Sequence, residues 1–454
     1  MYYHRLRELE ETGNNIQVGL IGAGTFGAQI TSQMAAATGM RLAAIAELEP
    51  PKAVRAYGLG GIEAHQVIAA QTPDAIDDAI ASGRYAVTRS AQALVESGVD
   101  VVIEATGNVE VGAGHARATI AAGKHVVMVT VEADVVVGCQ LKKLADEAGV
   151  LYSAAYGDEP AIALGLWDWA RSLGFRVVAA GKGTRFRTSF RRANPDDVPK
   201  MYGFTGDDYN AQMFGSFLDG TKHAIEMACL ANMSGLVPDI RGMHFPCSDL
   251  RGIPDTLCHR DKGGVLGQEG IVEAVSSIDE NEMEVERSLR GGLYCVVDGP
   301  SDFTAESLGS YGEIIGMITG KRSNYSMIYR PQHWIGHEMP ITVAAIMLDS
   351  ETCGTPMGQH AEVISAAKKP LAAGTTLDGE GGYCLYGLLE KATIARVENL
   401  LPVGLSRGAI LTHDIPEDGV VTYDDVQLAE SPALELRQLQ DHDLGAAEEE
   451  AAGP

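Results

Sequence analysis

The sequence has no run of eighteen apolar residues, and it opens on the polar stretch Met1-Tyr2-Tyr3-His4-Arg5 in place of an apolar leader. The expectation is a cytoplasmic protein without a membrane partner. Cysteine is sparse: the seven at positions 139, 229, 247, 258, 295, 353 and 384 include no Cys-x-x-Cys pair. That spacing excludes a zinc ribbon or a disulfide framework and points to reduced, mostly buried thiols. Positive charge is also short, with 35 Lys and Arg against 61 Asp and Glu and a net charge of −26. Such an excess repels nucleic acid and anionic lipid, and it suits a protein of an acidic proteome whose self-repulsion is screened by salt. No internal repeat is present. With 454 residues, 45% of them hydrophobic, the chain has enough apolar material for two or three globular domains.

What is present organises the chain from residue 16 onward. A strand, Ile16 to Ile21, runs into Gly22-Ala23-Gly24-Thr25-Phe26-Gly27, then an apolar helix through Ala37 and a second strand, Arg41 to Ala46, closing on Glu47. Gly22 permits a tight strand-to-helix turn, Gly24 leaves room for a pyrophosphate, and Gly27 lets the helix approach the strand. Thr25 and Phe26 open the helix, whose free N–H groups and positive dipole end suit phosphate oxygens. Glu47 stands twenty residues after Gly27, where a carboxylate accepts hydrogen bonds from an adenosine ribose. The expected cofactor is NAD or NADP: Glu47 favours NAD, and the neighbouring Arg55 would suit a 2′-phosphate. The plainer alternative makes Glu47 a solvated strand-end acid.

The segment Gly58 to Tyr85 reads as a helical elaboration, after which strands and helices alternate. Strands are expected at Tyr85 to Val87, Asp100 to Thr106, His125 to Thr130 and Val150 to Ala154, with helices Ser90 to Ser97, Val111 to Ala122 and Asp134 to Ala148 between them. That alternation predicts parallel strands joined by right-handed crossovers, a doubly wound α/β sheet of Rossmann type over residues 1–155. Ligands of such sheets lie beyond the carboxyl ends of the strands, so Thr106, Gly107 and Glu132 are expected near the nicotinamide. Ordinary strand-end turns are the alternative.

From Tyr156 the pattern changes. Gly157-Asp158-Glu159-Pro160 opens a helix, Ala161 to Leu173, and a strand, Phe175 to Ala180, leads into a basic loop with Lys182, Arg185, Arg187, Arg191 and Arg192. Five positive charges within eleven residues suggest a clamp for an anionic substrate; charges paired with nearby acids are the alternative. Asp219-Gly220-Thr221-Lys222 begins an apolar helix. Three residues apart at a helix start, Asp219 and Lys222 share a face, and a Lys beside a carboxylate suits proton transfer to and from a substrate hydroxyl. The alternative is a capping Asp and an exposed Lys. His333, His337 and Glu338, ahead of a helix at Ile341 to Leu348, have spacing compatible with a metal but lack a His-Glu-x-x-His pattern. The chain closes with short β-like runs around Gly381-Gly382-Tyr383 and an acidic tail, expected to be disordered from Leu444.

Taken together, the glycine loop, Glu104-Ala105-Thr106-Gly107-Asn108, the turn ending at Pro160 and the Asp219/Lys222 pair resemble the homoserine dehydrogenase family over about the first half of the chain. Ala366 to Leu428 resembles a SAF domain. The combined layout is similar to the 1-deoxy-D-xylulose 5-phosphate reductoisomerase-like oxidoreductases, in Val131-Glu132-Ala133-Asp134, Gly157-Asp158-Glu159-Pro160, Asp219-Gly220-Thr221-Lys222 and Gly381-Gly382-Tyr383. Two departures point away from homoserine itself. Thr130 leads into Val131-Glu132-Ala133 where that family has Thr-Ala-Asn-Lys, and the spacing from Asp219 to Lys222 is one residue shorter than that family's.

The resemblance implies an NAD(P)-dependent enzyme acting on a small polyhydroxylated substrate, phosphorylated or acidic, working as a homodimer or higher homo-oligomer. It also admits a divalent cation, Mg or Mn, for which Asp158, Glu159 and Glu132 are the first acids to test. The expected architecture is the Rossmann domain, an α+β substrate and dimerisation domain at 156–364, a SAF-like β domain with a helical insertion at 365–430, and the tail at 431–454. Lys222 and Asp219 are the expected catalytic pair. Gly22, Gly24, Thr25, Phe26, Gly27, Glu47, Thr106, Gly107 and Glu132 are expected at the cofactor, and Lys182, Arg185, Asp158 and Glu159 at the substrate. A true homoserine dehydrogenase and a non-catalytic NAD(P)-sensing or carbohydrate-binding protein are the rival readings.

Overall fold

The computed structural model describes residues 1–204, 209–315 and 317–452, and the chain divides into two units. The first comprises Met1–Ala161, Trp334–Thr355 and Ser431–Pro454; the second comprises Ile162–His333 and Pro356–Glu430. Among the described residues no helix is long and apolar enough to cross a membrane.

The first unit is a seven-stranded, wholly parallel sheet: β1 (Ile16–Ile21), β2 (Met40–Ala46), β3 (Val67–Ala69), β4 (Tyr85–Thr88), β5 (Val101–Glu104), β6 (His125–Met128) and β7 (Tyr152–Ala154). Their order is β3-β4-β2-β1-β5-β6-β7. Setting aside the edge strand β3, this is the order of a dinucleotide-binding sheet, with its switch point between β1 and β5. Helices cover both faces, so the strands are apolar on both sides. Val101, Val102 and Ile103 are all fully buried, and Leu20 and Ile103 pack into one core while Ile21 and Val102 pack into the other.

Two elements depart from the sequence reading. The segment Gly58 to Tyr85 contains β3 as well as the helix Pro73–Ala81. Three half-exposed residues at a sheet edge carry too little apolar pattern to announce a strand. The tail at 431–454 begins with a docked helix, Pro432–Ala452. Ala433 and Leu436 are buried, Arg117 pairs with Glu435, Lys143 pairs with Asp443, and the Gln440 amide bonds the backbone of Val136 and Gln140. Its polarity hides a narrow apolar stripe, which is all that docking requires. Residues 453 and 454 of that tail lie outside the described residues.

The second unit is built on a mixed six-stranded sheet containing β8 (Arg176–Thr184), β9 (Val237–Pro238), β10 (Ile271–Ser276), β11 (Leu293–Asp298), β12 (Ile318–Thr319) and β13 (Ser326–Arg330). The order is β12-β13-β11-β8-β10-β9, with β8 parallel to β10 and antiparallel to β11. Two further antiparallel pairs follow, β14 (Ala361–Ala367) with β15 (Leu385–Lys391) and β16 (Ile410–Leu411) with β17 (Val426–Gln427). The helix Thr221–Ser234 packs on β8 and β10 and also on β14 and β15, and all fourteen of its residues are buried.

Candidate functional site

In the first unit the glycine loop has the geometry its spacing predicts. Gly22 adopts φ +97°, and a Cβ there would lie 2.8 Å from the Ala105 carbonyl at the end of β5. A Cβ on Gly27 would lie 2.1 Å from the Gly22 carbonyl, so only glycine lets the helix Thr25–Met34 start this close to β1. A Cβ on Gly24 would meet nothing within 4 Å. The helix has Gly24 at its cap with no side chain bonded there, so the N–H groups of its first turn, Thr25 and Phe26 included, face outward for an anion.

Glu47 is part of this loop. Its Oε2 accepts from the Ala23 N–H at 2.8 Å and its Oε1 from the Glu49 N–H at 3.0 Å, so it braces the turn. Across the switch point a buried Glu104 does the same for the second loop. Its Oε1 accepts from the N–H and Oγ1 of Thr106 at 3.2 and 2.5 Å, and its Oε2 accepts from Thr130 Oγ1. Thr130 Oγ1 in turn accepts from the Gly107 N–H at 3.0 Å, with Gly107 at φ +65°. The loop carrying Thr106 and Gly107 and the Thr130 cap of the helix that carries Glu132 are thus tied to one buried carboxylate. Glu132 is itself buried in the first turn of the helix Val131–Ala148. Arg55 is exposed on the helix Pro50–Leu59.

Gly157 sets the next pair of acids. It has φ +101°, and a Cβ would lie 2.8 Å from the Trp334 carbonyl and 2.9 Å from Glu338 Cβ. Asp158 and Glu159 follow, 8% and 4% exposed, with Asp158 Oδ1 accepting from the Glu159 N–H at 3.1 Å at the start of the helix Glu159–Ser172. That helix starts two residues before the sequence reading placed it. Ahead of the helix Met339–Ala344, Glu338 accepts from the Trp334 N–H at 3.2 Å, while His333 Nδ1 donates to the Gly291 carbonyl at 2.9 Å.

In the second unit the sequence-predicted residues have partners that spacing did not reveal. Lys182 lies inside β8, not on a surface loop, and its Nζ is ion-paired with Glu226 Oε2, both side chains buried. The glycines either side permit this: a Cβ on Gly181 would lie 1.9 Å from the Glu273 carbonyl, and one on Gly183 would lie 2.1 Å from that of Leu289. A Gly-Lys-Gly-Thr run resembles a turn in sequence, yet here neighbouring backbone comes too close for any side chain. Next to the pair, His223 Nε2 lies 2.9 Å from Thr184 Oγ1, and His223 Nδ1 lies 3.9 Å from Glu226 Oε2.

Three of the remaining charges of the basic stretch, Arg185, Arg191 and Arg192, are answered by acids and carbonyls of the same unit. Arg185 Nε bonds Glu284 at 3.1 Å, Arg191 donates to the Gly242 carbonyl at 2.9 Å, and Arg192 pairs with Glu417 at 2.5 Å and Asp418 at 2.6 Å. For Arg185 and Arg192 this is the pairing with nearby acids that the sequence reading set beside the clamp.

Asp219 and Lys222 do not share a helix face. Asp219 ends the helix Ala211–Leu218, Gly220 turns the chain at φ +90°, and only then does the helix carrying Lys222 begin. A Cβ on Gly220 would lie 2.5 Å from the Phe186 ring, so the turn is fixed by packing. The fully buried Asp219 carboxylate is 2.8 Å from Lys368 Nζ and accepts from the Thr221 N–H at 2.9 Å. Lys368 also donates to the carbonyls of Ala193 at 2.5 Å and Gly382 at 2.6 Å. Burial holds the Asp219 carboxyl above its ordinary value, with Lys368 and Thr221 pulling against it. Lys222 is buried two residues into its helix, and Glu226 stands one turn further on the same face.

Glu226, His223 and Lys368 were not singled out from sequence. The available signal for the first two was the helix itself: a segment apolar enough to be wholly buried that still carries Lys222, His223 and Glu226 must pair those groups or hold them for a ligand.

The fold and the loop geometry define an α/β protein with a dinucleotide-type sheet. Residues 157–339 match the family model described as Oxidoreductase DRL, catalytic domain. This span contains Asp158, Glu159, Lys182, Arg185, Asp219 and Lys222, and the chain is an oxidoreductase. No curated protein matches it. Among solved structures, a probable dehydrogenase from Thermotoga maritima is 13% identical, with 74% of this chain and 90% of that one covered at a TM-score of 0.39. A scyllo-inositol dehydrogenase from Lactobacillus casei, with bound NAD(H) and scyllo-inositol, is 12% identical, with 75% and 92% covered at a TM-score of 0.38.

Proposed function

We propose that the protein is an NAD(P)-dependent dehydrogenase or reductase acting on a CH–OH group of a small polyhydroxylated compound, in the reductoisomerase-like layout read from the sequence. The observation that carries this is the Gly22–Gly27 turn, shaped for a pyrophosphate at a bare helix start, in a chain whose residues 157–339 match an oxidoreductase catalytic domain. Bound at the loop, the dinucleotide would supply hydride chemistry at C4 of its nicotinamide.

In this reading Lys222 holds the substrate oxygen and moves its proton as the carbon changes oxidation state. Asp219, tied to Lys368, positions the turn from which the Lys222 helix starts and is not a proton carrier. Lys182, already neutralised by Glu226, favours an uncharged or singly acidic ligand over a phosphate dianion. Asp158 and Glu159 present buried carboxylate oxygens, a donor chemistry that fits Mg or Mn, which would polarise substrate oxygens when bound. A homodimer or higher homo-oligomer belongs to the same proposal.

The test measures NADH and NADPH binding by fluorescence, and turnover on a panel of polyols, sugar acids, sugar phosphates and homoserine, for the wild type and Lys222→Met. The expected result is unchanged cofactor affinity with turnover lowered about a hundredfold or more. Equal turnover in the variant removes Lys222 from the chemistry, and absence of any nicotinamide binding removes the proposal.

A further inference from the structure

Glu226 carries an atom that nothing in the second unit satisfies. One carboxylate oxygen, Oε2, is held by Lys182, with His223 Nδ1 3.9 Å away. The other, Oε1, is buried and accepts no hydrogen bond among the described residues, on a side chain 1% exposed. A desolvated carboxylate oxygen without a donor is costly, and native interiors rarely keep one unless a ligand supplies the missing hydrogen. Glu226 is fixed from two directions, by Lys182 on the central strand β8 and by its place in a helix buried along its whole length. It cannot swing out to water to find a partner.

We propose that Glu226 Oε1 receives the hydrogen of a substrate hydroxyl adjacent to the carbinol that reacts, which makes it a specificity determinant for vicinal diols. The assignment rests on the dehydrogenase reading above and deepens it. Lys222 stands one turn before Glu226 on the same helix face, a spacing at which two side chains can reach one ligand. A ligand meeting both needs two neighbouring oxygens, one able to accept from or pass a proton to Lys222 and one able to donate to Glu226. Because Lys182 and Glu226 cancel one another, the second position recognises a neutral hydroxyl and gives no advantage to phosphate. Polyols, cyclitols and sugar acids carry that pair of hydroxyls, and simple alcohols and 1,3-diols do not. Sites built to hydrogen-bond a hydroxyl reject analogues lacking it far more strongly than apolar sites reject a missing methylene.

The experiment uses the full chain with NAD+, comparing ribitol, 1,3-butanediol, myo-inositol and 1-propanol by thermal shift and by nicotinamide absorbance, in wild type and Glu226→Gln. Vicinal diols are expected to raise the wild-type unfolding temperature and to be preferred over the 1,3-diol by at least about a hundredfold, with the preference falling below about threefold in the variant. Should Glu226→Gln fail to fold, the double variant Lys182→Met with Glu226→Gln removes both charges and is read the same way. Stabilisation of the wild type alone without any absorbance change sinks the dehydrogenase reading and leaves the Glu226 assignment standing. Turnover with the same preference in wild type and variant does the reverse. No stabilisation by any diol, or stabilisation by Mn2+ alone that Glu226→Gln abolishes while diols add nothing, overturns the assignment.

Discussion

The buried Asp219–Lys368 pair gives the sharpest stability prediction. Lys368→Met keeps most of the side-chain volume but removes the ammonium that touches Asp219 and the carbonyls of Ala193 and Gly382. Asp219, fully buried, would retain only its bonds from Thr221. Breaking a buried pair from one side leaves an uncompensated charge, which costs about 3–5 kcal/mol. For a unit of this size that lowers the unfolding temperature by roughly 10 °C. Asp219→Asn should cost a similar amount by stranding the ammonium. The double variant, Asp219→Asn with Lys368→Met, leaves no lone charge, so its loss should fall short of the sum of the singles by about 2–3 kcal/mol. Urea unfolding of the four proteins measures this directly. Strictly additive losses, or a Lys368→Met loss under about 1 kcal/mol, would refute the pairing as the anchor of this turn.

Two further outcomes follow from single positions. Gly27→Ala places a methyl 2.1 Å from the Gly22 carbonyl, so the loop must shift; we expect NADH affinity to fall at least about tenfold and stability to drop about 1–3 kcal/mol, and unchanged affinity would count against the cradle. Glu273 is fully buried, and burial raises its carboxyl from 4.5 to about 7 against the N–H groups of His244, Ala274 and Phe245. A group whose folded value is raised stabilises fully below its unfolded value and loses that contribution as pH rises through the folded one. Wild-type stability relative to Glu273→Gln should therefore fall between about pH 4.5 and pH 7, by about 3 kcal/mol in all, and parallel pH curves for the two proteins would refute it.

The legible part of this molecule was the part written locally. Gly22, Gly24 and Gly27 fall within six residues, each strand of the first sheet is followed closely by its crossover helix, and both patterns survive in a sequence read without partners. The second unit depends on meetings across long stretches of chain. Lys182 finds Glu226 44 residues later, and the strand that carries it there is disguised by two glycines whose purpose is the approach of residues 273 and 289. Asp219 and Lys222 looked like a helical pair because spacing alone cannot show that Gly220 breaks the helix between them. The strand β3 and the helix Pro432–Ala452 were missed for a related reason: each is held by elements distant in the chain and has little pattern of its own.

Lysine is unevenly placed in this chain. Only twelve occur in a chain of net charge −26, yet three of them, Lys182, Lys222 and Lys368, are buried, and all three belong to the second unit. Lysine is almost never buried unless paired, because removing an ammonium from water costs several kcal/mol. Two of the three have a buried acid of their own unit, Glu226 for Lys182 and Asp219 for Lys368. A surface crowded with acids would satisfy lysine at far lower cost, so interior placement has to be required by something other than solubility. For Lys368 that requirement is the turn before the Thr221–Ser234 helix. For Lys182 it is the pairing across to Glu226 on the Thr221–Ser234 helix, the helix whose Lys222 and Glu226 are proposed above to meet the hydroxyls of a substrate.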